Sequence, residues 1–284
     1  MIKRYLERQK KKFVRSLPDK IRCKLIWRYF PPFKAEIDNI VFRCAESVDD
    51  YIKAFRLVHD VYVQEGYIDP APSALRITPY HNNPSSRVFL GMYQECGCEI
   101  PIYTISMFPD SDDHLGLPMD MAFKRELDVL RDKGRSLVEI GALASAPAFR
   151  NGDMNIPMLG NRIIQRYAFE YLHCDDIVIT VHPKHRWVYR DILLFEELGY
   201  VDQYDYVRSN PAVAMRLDLR TAEEKYQRAY GAMPREKNLY TFFFGQDSSS
   251  ICFPKSSRIN NKNLVNSIYQ YAFSCGLIGG RFKN

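Results

Sequence analysis

The chain has 284 residues, of which 46% are apolar and 26% charged, and this composition excludes a disordered protein and allows a substantial core. No apolar run reaches the ~20 residues that a membrane span needs, and the basic start is not followed by the apolar stretch of a signal peptide. We therefore expect a cytoplasmic protein whose seven cysteines, an odd number, are reduced thiols.

The excess of positive charge is confined to the N-terminus. Residues 1–28 carry 11 lysines and arginines against Glu7 and Asp19, which gives them a net charge of +9. Four apolar residues share one helical face of this leader, namely Ile2, Leu6, Phe13 and Leu17. The pattern predicts a basic amphipathic segment that binds an acidic protein or lies on anionic lipid at the inner face of the membrane. A solvated leader is the alternative, and no nucleic-acid partner is expected.

Residues 39–220 alternate between helical and extended patterns. Ser47 and Asp50 form a predicted capping box for a helix that Gly66 ends. The later segments are, in order, strands RVFLGMY and IPIYTISMF, a helix capped by Asp120 and ended by Gly134, strand SLVEIGALA, helix 156–173, strand DIVITV, helix RWVYRDILLFEELGY and extended residues up to 220. This order predicts an α/β fold with a mixed central sheet flanked by helices.

The chain divides into three predicted parts. Residues 1–38 are the leader, 39–220 the core, and 221–284 a helical extension with a Ser/Pro-rich break at 247–257. The extension is compatible with covering the sheet, with a dimer contact or with lining a tunnel.

Five segments of the core resemble the FeeM-type N-acyl amino acid synthases. They are RLVHDVYVQEGYI (56–68), GLPMD (116–120), ELDVLRDKGRSLVEIGALA (126–144), HPKHRWVYRDILLFE (182–196) and NPAVAMRLDL (210–219). This family is a branch of the GNAT fold related to the acyl-homoserine lactone synthases. The resemblance implies a GNAT-like sheet and transfer of an acyl group from a thioester to an amine.

Glu139 lies in the apolar strand SLVEIGALA. Burial raises the pKa of a carboxylate toward the range of a general base, and an amine needs such a base before it attacks a thioester. The resemblance implies the same role, whereas a Glu paired with an Arg or facing solvent is the alternative. The related lactone synthases favour Arg at the position of Ala142, so the group that orients Glu139 is left open. The backbone at Gly141 and Leu143 is expected to contact the donor and hold the oxyanion.

Further residues are expected at the donor. Tyr189 is predicted to assist the departing thiolate, with a purely structural role as the alternative. Arg150 and Gly152 begin a phosphate-binding loop in which Asp153 and Asn155 replace the small residues typical of acetyl-CoA enzymes.

The presence of Asp153 and Asn155 in this loop favours an acyl carrier protein, whose phosphopantetheine arm has a single phosphate, over CoA as donor. His182 and His185 frame the helix start and are expected to cap it or contact the donor. They are not expected to bind a metal, because no third ligand is near.

The acceptor is predicted to bind beside Tyr62 and Tyr67, because the resembled family places its acceptor site at this segment. Recognition of an amino-acid carboxylate needs a cation, for which Arg87, Arg125 and Arg150 are the candidates. We therefore expect an N-acyltransferase that moves a medium or long acyl chain from carrier protein to an amino acid, with no tightly bound cofactor. A CoA-dependent acetyltransferase and a non-catalytic binder of acyl chains or carrier protein are the alternatives.

Overall fold

The computed structural model describes residues 32–34, 36–111, 115–150, 156–245 and 267, 268 and 270. The predicted leader and most of the segment after 245 therefore lie outside the described residues. Within the described part, every helix is too short or too polar to cross a membrane.

The core is one seven-stranded mixed sheet with the order β1-β2-β3-β4-β5-β7-β6. All neighbours are antiparallel except β4 and β5, which are parallel. The strands are β1 Ile40–Cys44, β2 Arg87–Glu95, β3 Cys98–Pro109, β4 Leu137–Ser145, β5 Asp176–Val181, β6 Glu196–Tyr204 and β7 Asn210–Asp218. The predicted α/β fold with a mixed central sheet is confirmed.

Between residues 32 and 245, the described part of the chain has six α-helices around the sheet. They are α1 Val48–Gln64, α2 Asp120–Arg131, α3 Ile156–Glu170, α4 Arg186–Asp191, α5 Leu219–Tyr230 and α6 Leu239–Phe244. Helices α1 and α2 pack on one face, and α3, α5 and α6 on the other. Side chains alternate along each strand, so Glu139 points to the α2 face while Val138 and Ile140 point to the α3 face.

The ends of the first two helices follow from local hydrogen bonds. The capping box at Ser47 and Asp50 is present, and Gly66 follows the end of α1 with a φ of 75°. The prediction that Asp120 is the N-cap of α2 is wrong by one residue, because Met119 holds that position. Asp120 is the first helical residue, and its carboxylate accepts a hydrogen bond from Leu117 N at 2.7 Å.

The predicted helix RWVYRDILLFEELGY is wrong in its second half. Helix α4 ends at Asp191, Leu194 adopts a left-handed φ of 57°, and the chain then enters β6. Strand β6 pairs with β7, so the hydrogen bonds of a neighbouring strand override the helical spacing of the apolar residues. The sequence pattern also missed β1, a five-residue strand paired with β2.

The beginning of the extension packs onto the main core. Tyr226 and Tyr230 of α5 donate hydrogen bonds to the carbonyls of Leu193 and Ile192, at 2.7 and 2.6 Å. Phe242 and Phe243 of α6 belong to the same hydrophobic cluster as α3 and β5. This part of the extension therefore covers the sheet next to the segment that carries Tyr189.

Candidate active site

The sheet opens between its two parallel strands. Pairing of β4 with β5 ends at Ile140 and Ile179, so the backbone of Gly141–Leu143 has no β5 partner in the described sheet. Against β3, strand β4 accommodates one extra residue between Gly141 and Ala144, and Ala142 has a φ of 47°. This β-bulge bends the strand and leaves a gap through which the two faces of the sheet communicate.

One cavity of about 120 Å³ occupies this gap and reaches both faces. On the α2 face lie Glu139, Tyr62, Phe108, Pro118, Tyr206 and Val207. On the α3 face the cavity continues as an apolar arm, lined chiefly by Ile164, Ile177, Ile179, Phe195, Leu217, Tyr226 and Phe243. Gly141, Ala142, Leu143 and Tyr189 line it as well. Five of the predicted site residues, Glu139, Tyr189, Tyr62, Gly141 and Leu143, thus meet at one cavity.

Glu139 is 2% exposed and reaches this cavity from β4. Burial raises the pKa of its carboxyl well above the usual range, and the nearby Asp120 and Asp110 raise it further. The Met119 N–H, which donates to Glu139 Oε2 at 2.7 Å, acts in the opposite direction. No cation pairs with Glu139 among the described residues, so its electrostatic surroundings are those of a base and not of an ion pair.

The GLPMD segment, residues 116–120, positions the hydrogen bond from the Met119 N–H to Glu139. Arg131 binds Asp110 at the end of β3 and Asp120 at the start of α2, with N–O distances of 2.7 Å to each. Because Asp120 also accepts from Leu117 N, the cluster fixes the loop that carries Met119. The backbone of this loop therefore orients Glu139, a role that the sequence motif alone did not assign.

Tyr189 projects from α4 into the cavity and packs edge-on against Phe195, with ring centroids 5.7 Å apart. Burial raises the pKa of its hydroxyl to about 12. The side chain therefore remains protonated, and able to donate a hydrogen bond, throughout the physiological pH range.

Two tyrosines bound the Glu139 side of the cavity. The ring of Tyr62 stands at 85° to the ring of Tyr67, which does not line the cavity itself. Tyr206 lies on the cavity wall. The Arg76 guanidinium stacks on the Tyr206 ring at 5.0 Å and donates to the Tyr206 carbonyl at 3.1 Å. Arg76 has no carboxylate partner among the described residues. Its place beside Tyr206 depends on contacts distant in sequence, so sequence reasoning missed it.

Arg87 does not line the cavity. Its guanidinium donates to Tyr167 Oη and to the carbonyls of Pro84 and Ser86, and the residue is 3% exposed. These bonds fix the start of β2 to α3. The structure therefore shows Arg87 joining β2 to α3 outside the cavity, and its predicted contact with the acceptor stays a prediction.

The predicted donor residues lie near the end of α1 and the start of α4. Arg150 donates to Glu65 at 2.5 Å and to the Ser145 carbonyl, and Lys184 approaches the same carboxylate at 3.6 Å. His182 caps the turn before α4 by accepting from Lys184 N at 3.1 Å. His185 is exposed immediately before that helix, and Gly152 lies outside the described residues.

Comparisons with known proteins agree with this geometry. The family model of the N-acyl amino acid synthase FeeM matches residues 53–218. The solved structure of FeeM, an N-acyl amino acid synthase from uncultured soil microbes, is 26% identical, with a TM-score of 0.55. The match covers 65% of this chain and 93% of that one.

A spermidine N-acetyltransferase SpeG mutant from Vibrio cholerae is 11% identical, with a TM-score of 0.43. That match covers 66% of this chain and 97% of the other. No curated protein sequence matches the chain significantly. Because the FeeM model matches more than half of the residues, and the cavity holds a buried carboxylate at an open parallel strand pair, the chain belongs to the FeeM family of N-acyl amino acid synthases and is an N-acyltransferase.

Proposed function

We propose that the protein transfers a medium or long acyl chain from acyl carrier protein to the α-amine of an amino acid. The observation that carries the proposal is the cavity that joins the polar surroundings of Glu139 to the apolar arm through the gap between β4 and β5. The amine would bind beside Glu139 on one face, the acyl chain would fill the arm on the other, and the thioester carbon would lie at the gap.

The mechanism is direct attack in a ternary complex. Glu139 takes a proton from the amine, and the nitrogen forms a bond to the thioester carbon. Backbone N–H groups at Gly141–Leu143, which lack a β5 partner, hold the developing oxyanion. As the C–S bond breaks, the sulfur leaves as a thiolate and accepts a hydrogen bond from Tyr189.

Arg76 supports an acceptor that carries a carboxylate. Its guanidinium is half-buried beside Tyr206 and contributes to the potential at Tyr62, and both tyrosines line the Glu139 side of the cavity. A positive charge without a carboxylate partner among the described residues favours an anionic ligand there. Arg76, which reaches the cavity through Tyr206, is therefore a further candidate cation for an amino-acid substrate, beside Arg87, Arg125 and Arg150.

Removing this charge gives the test of the acceptor. Replacing Arg76 with glutamine is expected to raise KM for the amino acid about 10- to 150-fold, the worth of one charged hydrogen bond, without a matching change for the donor. Arg228, which is exposed on α5, gives the matched control Arg228→Gln. Product is measured by mass spectrometry with an amino acid and with its methyl ester. An unchanged preference for the free acid in Arg76→Gln contradicts the assignment.

The choice of donor rests on the charges at Glu65. This carboxylate pairs with Arg150, a predicted donor residue, and with Lys184, so both cations are already partly neutralised. Asp153 and Asn155 stand in the adjacent loop sequence. The single phosphate of a phosphopantetheine arm meets less repulsion here than the additional phosphates of CoA. The basic leader, residues 1–28, is proposed to contact the acidic carrier protein or anionic lipid.

We expect kcat/KM for an acyl carrier protein thioester to exceed that for acyl-CoA of the same chain by at least about tenfold. The variant Glu65→Gln removes the competing carboxylate, and the preference should fall in it because CoA gains more from the freed cations. Equal rates with the two donors in the wild-type protein would favour the CoA-dependent enzyme instead. Absence of product from both donors, with acyl-chain binding retained, would favour a non-catalytic binder.

A further inference from the structure

Gln165 is a polar residue in the apolar arm of the cavity. It lies on α3, is 4% exposed and lines the cavity. Its amide nitrogen has no hydrogen-bond partner among the described residues. The surrounding walls are apolar, with Ile164, Ile179, Leu217 and Phe243 among them.

An unpaired buried amide is costly. Leaving such a group without a partner costs about 1–3 kcal/mol, whereas an apolar side chain of the same shape would fit the arm at no such cost. Buried polar groups are normally paired by protein, by water or by a ligand. The position of Gln165 on the wall of a cavity makes a ligand atom a suitable partner.

The chemistry of the arm limits what that atom is. Asn161 lies one helical turn before Gln165 and also lines the cavity, so two neutral amides share one face of α3. No lysine or arginine lines the cavity in the described part of the chain. A carboxylate there would be buried without a cation, but a neutral hydroxyl or keto oxygen matches an amide that both donates and accepts.

We propose that Gln165 binds an oxygen substituent on the acyl chain, so that the preferred donors are hydroxyacyl or oxoacyl thioesters. The inference rests on the proposed function, because it places the acyl chain in the arm. It adds a substrate class and a specificity-determining residue to that function. The donors are oxygenated fatty acyl groups, and Gln165 selects them over plain chains.

The test compares thioesters of one chain length on acyl carrier protein: plain, 3-hydroxy, 3-oxo and terminally hydroxylated. We expect the wild-type protein to prefer at least one oxygenated chain by about 5- to 150-fold in kcat/KM, the equivalent of one buried hydrogen bond. In Gln165→Met, which keeps the length of the side chain but removes the amide, this ratio should fall to near one. Gln94→Met, at an exposed position of β2, is the matched control and should keep the wild-type ratio.

The outcomes separate this inference from the proposed function. If the wild-type protein transfers plain and oxygenated chains equally well, the function stands, the inference is wrong and water satisfies Gln165. A wild-type preference that persists in Gln165→Met also overturns the inference. Absence of transfer from every thioester overturns the proposed function, and this inference with it. Thermal unfolding of Gln165→Met checks its fold, and Gln165→Leu provides a second apolar variant if the first does not fold.

Discussion

Replacing Glu139 with glutamine is expected to lower kcat/KM for acyl transfer by about 10²–10⁴-fold, the usual contribution of a general base. The amide keeps an oxygen that can accept the Met119 N–H bond, so the loop should remain in place, but it cannot take a proton from the amine. Steady-state kinetics of the purified variant measure the effect. Glu95→Gln, at an exposed position of β2, is the matched control. Turnover of Glu139→Gln at the wild-type rate would remove Glu139 from the mechanism.

The pH dependence gives an independent measure of the same group. Only the ionised carboxylate acts as a base, and burial raises its pKa well above the ordinary 4.5. The wild-type kcat/KM should therefore rise with pH along a limb displaced above that value, and this limb should be missing from the residual activity of Glu139→Gln. A wild-type limb at or below the ordinary value would contradict the buried, unpaired carboxylate.

The contribution of Glu139 to the stability of the fold should fall as pH rises, whereas kcat/KM should increase. The folded protein holds the Glu139 proton more tightly than the unfolded chain does, so it binds more protons between pH 4.5 and the raised pKa. This contribution is fully present below 4.5 and is lost as pH rises through the folded pKa. The stability of Glu139→Gln relative to wild type should consequently increase with pH, as measured by denaturant unfolding at several pH values. A pH-independent difference would show that Glu139 titrates alike in both states.

Replacing Tyr189 with phenylalanine is expected to lower kcat about 10- to 150-fold. The hydroxyl has a pKa of about 12, whereas a thiol has a pKa of about 8.5, so complete proton transfer to the thiolate is uphill. Tyr189 therefore acts by donating a hydrogen bond to the developing charge, which is worth about 1.5–3 kcal/mol. The phenylalanine ring keeps the edge-on contact with Phe195, so the effect isolates the hydroxyl.

The leaving group provides the discriminating measurement for Tyr189. A thioester of a more acidic thiol develops less charge on sulfur and needs the hydrogen bond less, so the defect of Tyr189→Phe should shrink with such donors. Tyr200→Phe, at an exposed position of β6, controls for loss of a tyrosine hydroxyl elsewhere. A defect that is equal for all thiols, or wild-type turnover, would reduce Tyr189 to a residue of the core.

The sequence predicted most elements whose signals are local. The capping box of α1 and the apolar run around Glu139 each depend on neighbouring residues, and both appear in the structure as expected. The helix expected to extend beyond Asp191 failed because its apolar spacing also suits β6, and only pairing with β7 decides between the two. Strand β1 was missed because it is short and because the residues of β2 with which it pairs are 40 or more positions further along the chain.

The features of the candidate site also fall into two groups, those that the sequence shows and those that only the structure shows. A single buried carboxylate and a tyrosine after a strand are visible in the sequence, because burial and strand order follow from the pattern of apolar residues. The amide that orients Glu139, the charge of Arg76 and the unpaired Gln165 are not visible, because each depends on contacts with distant segments. The sequence by itself thus determined the fold class and the family, and it predicted the candidate reacting groups. Only the tertiary structure decided how these groups meet, because the gap between β4 and β5 exists only once the sheet has formed and bulged.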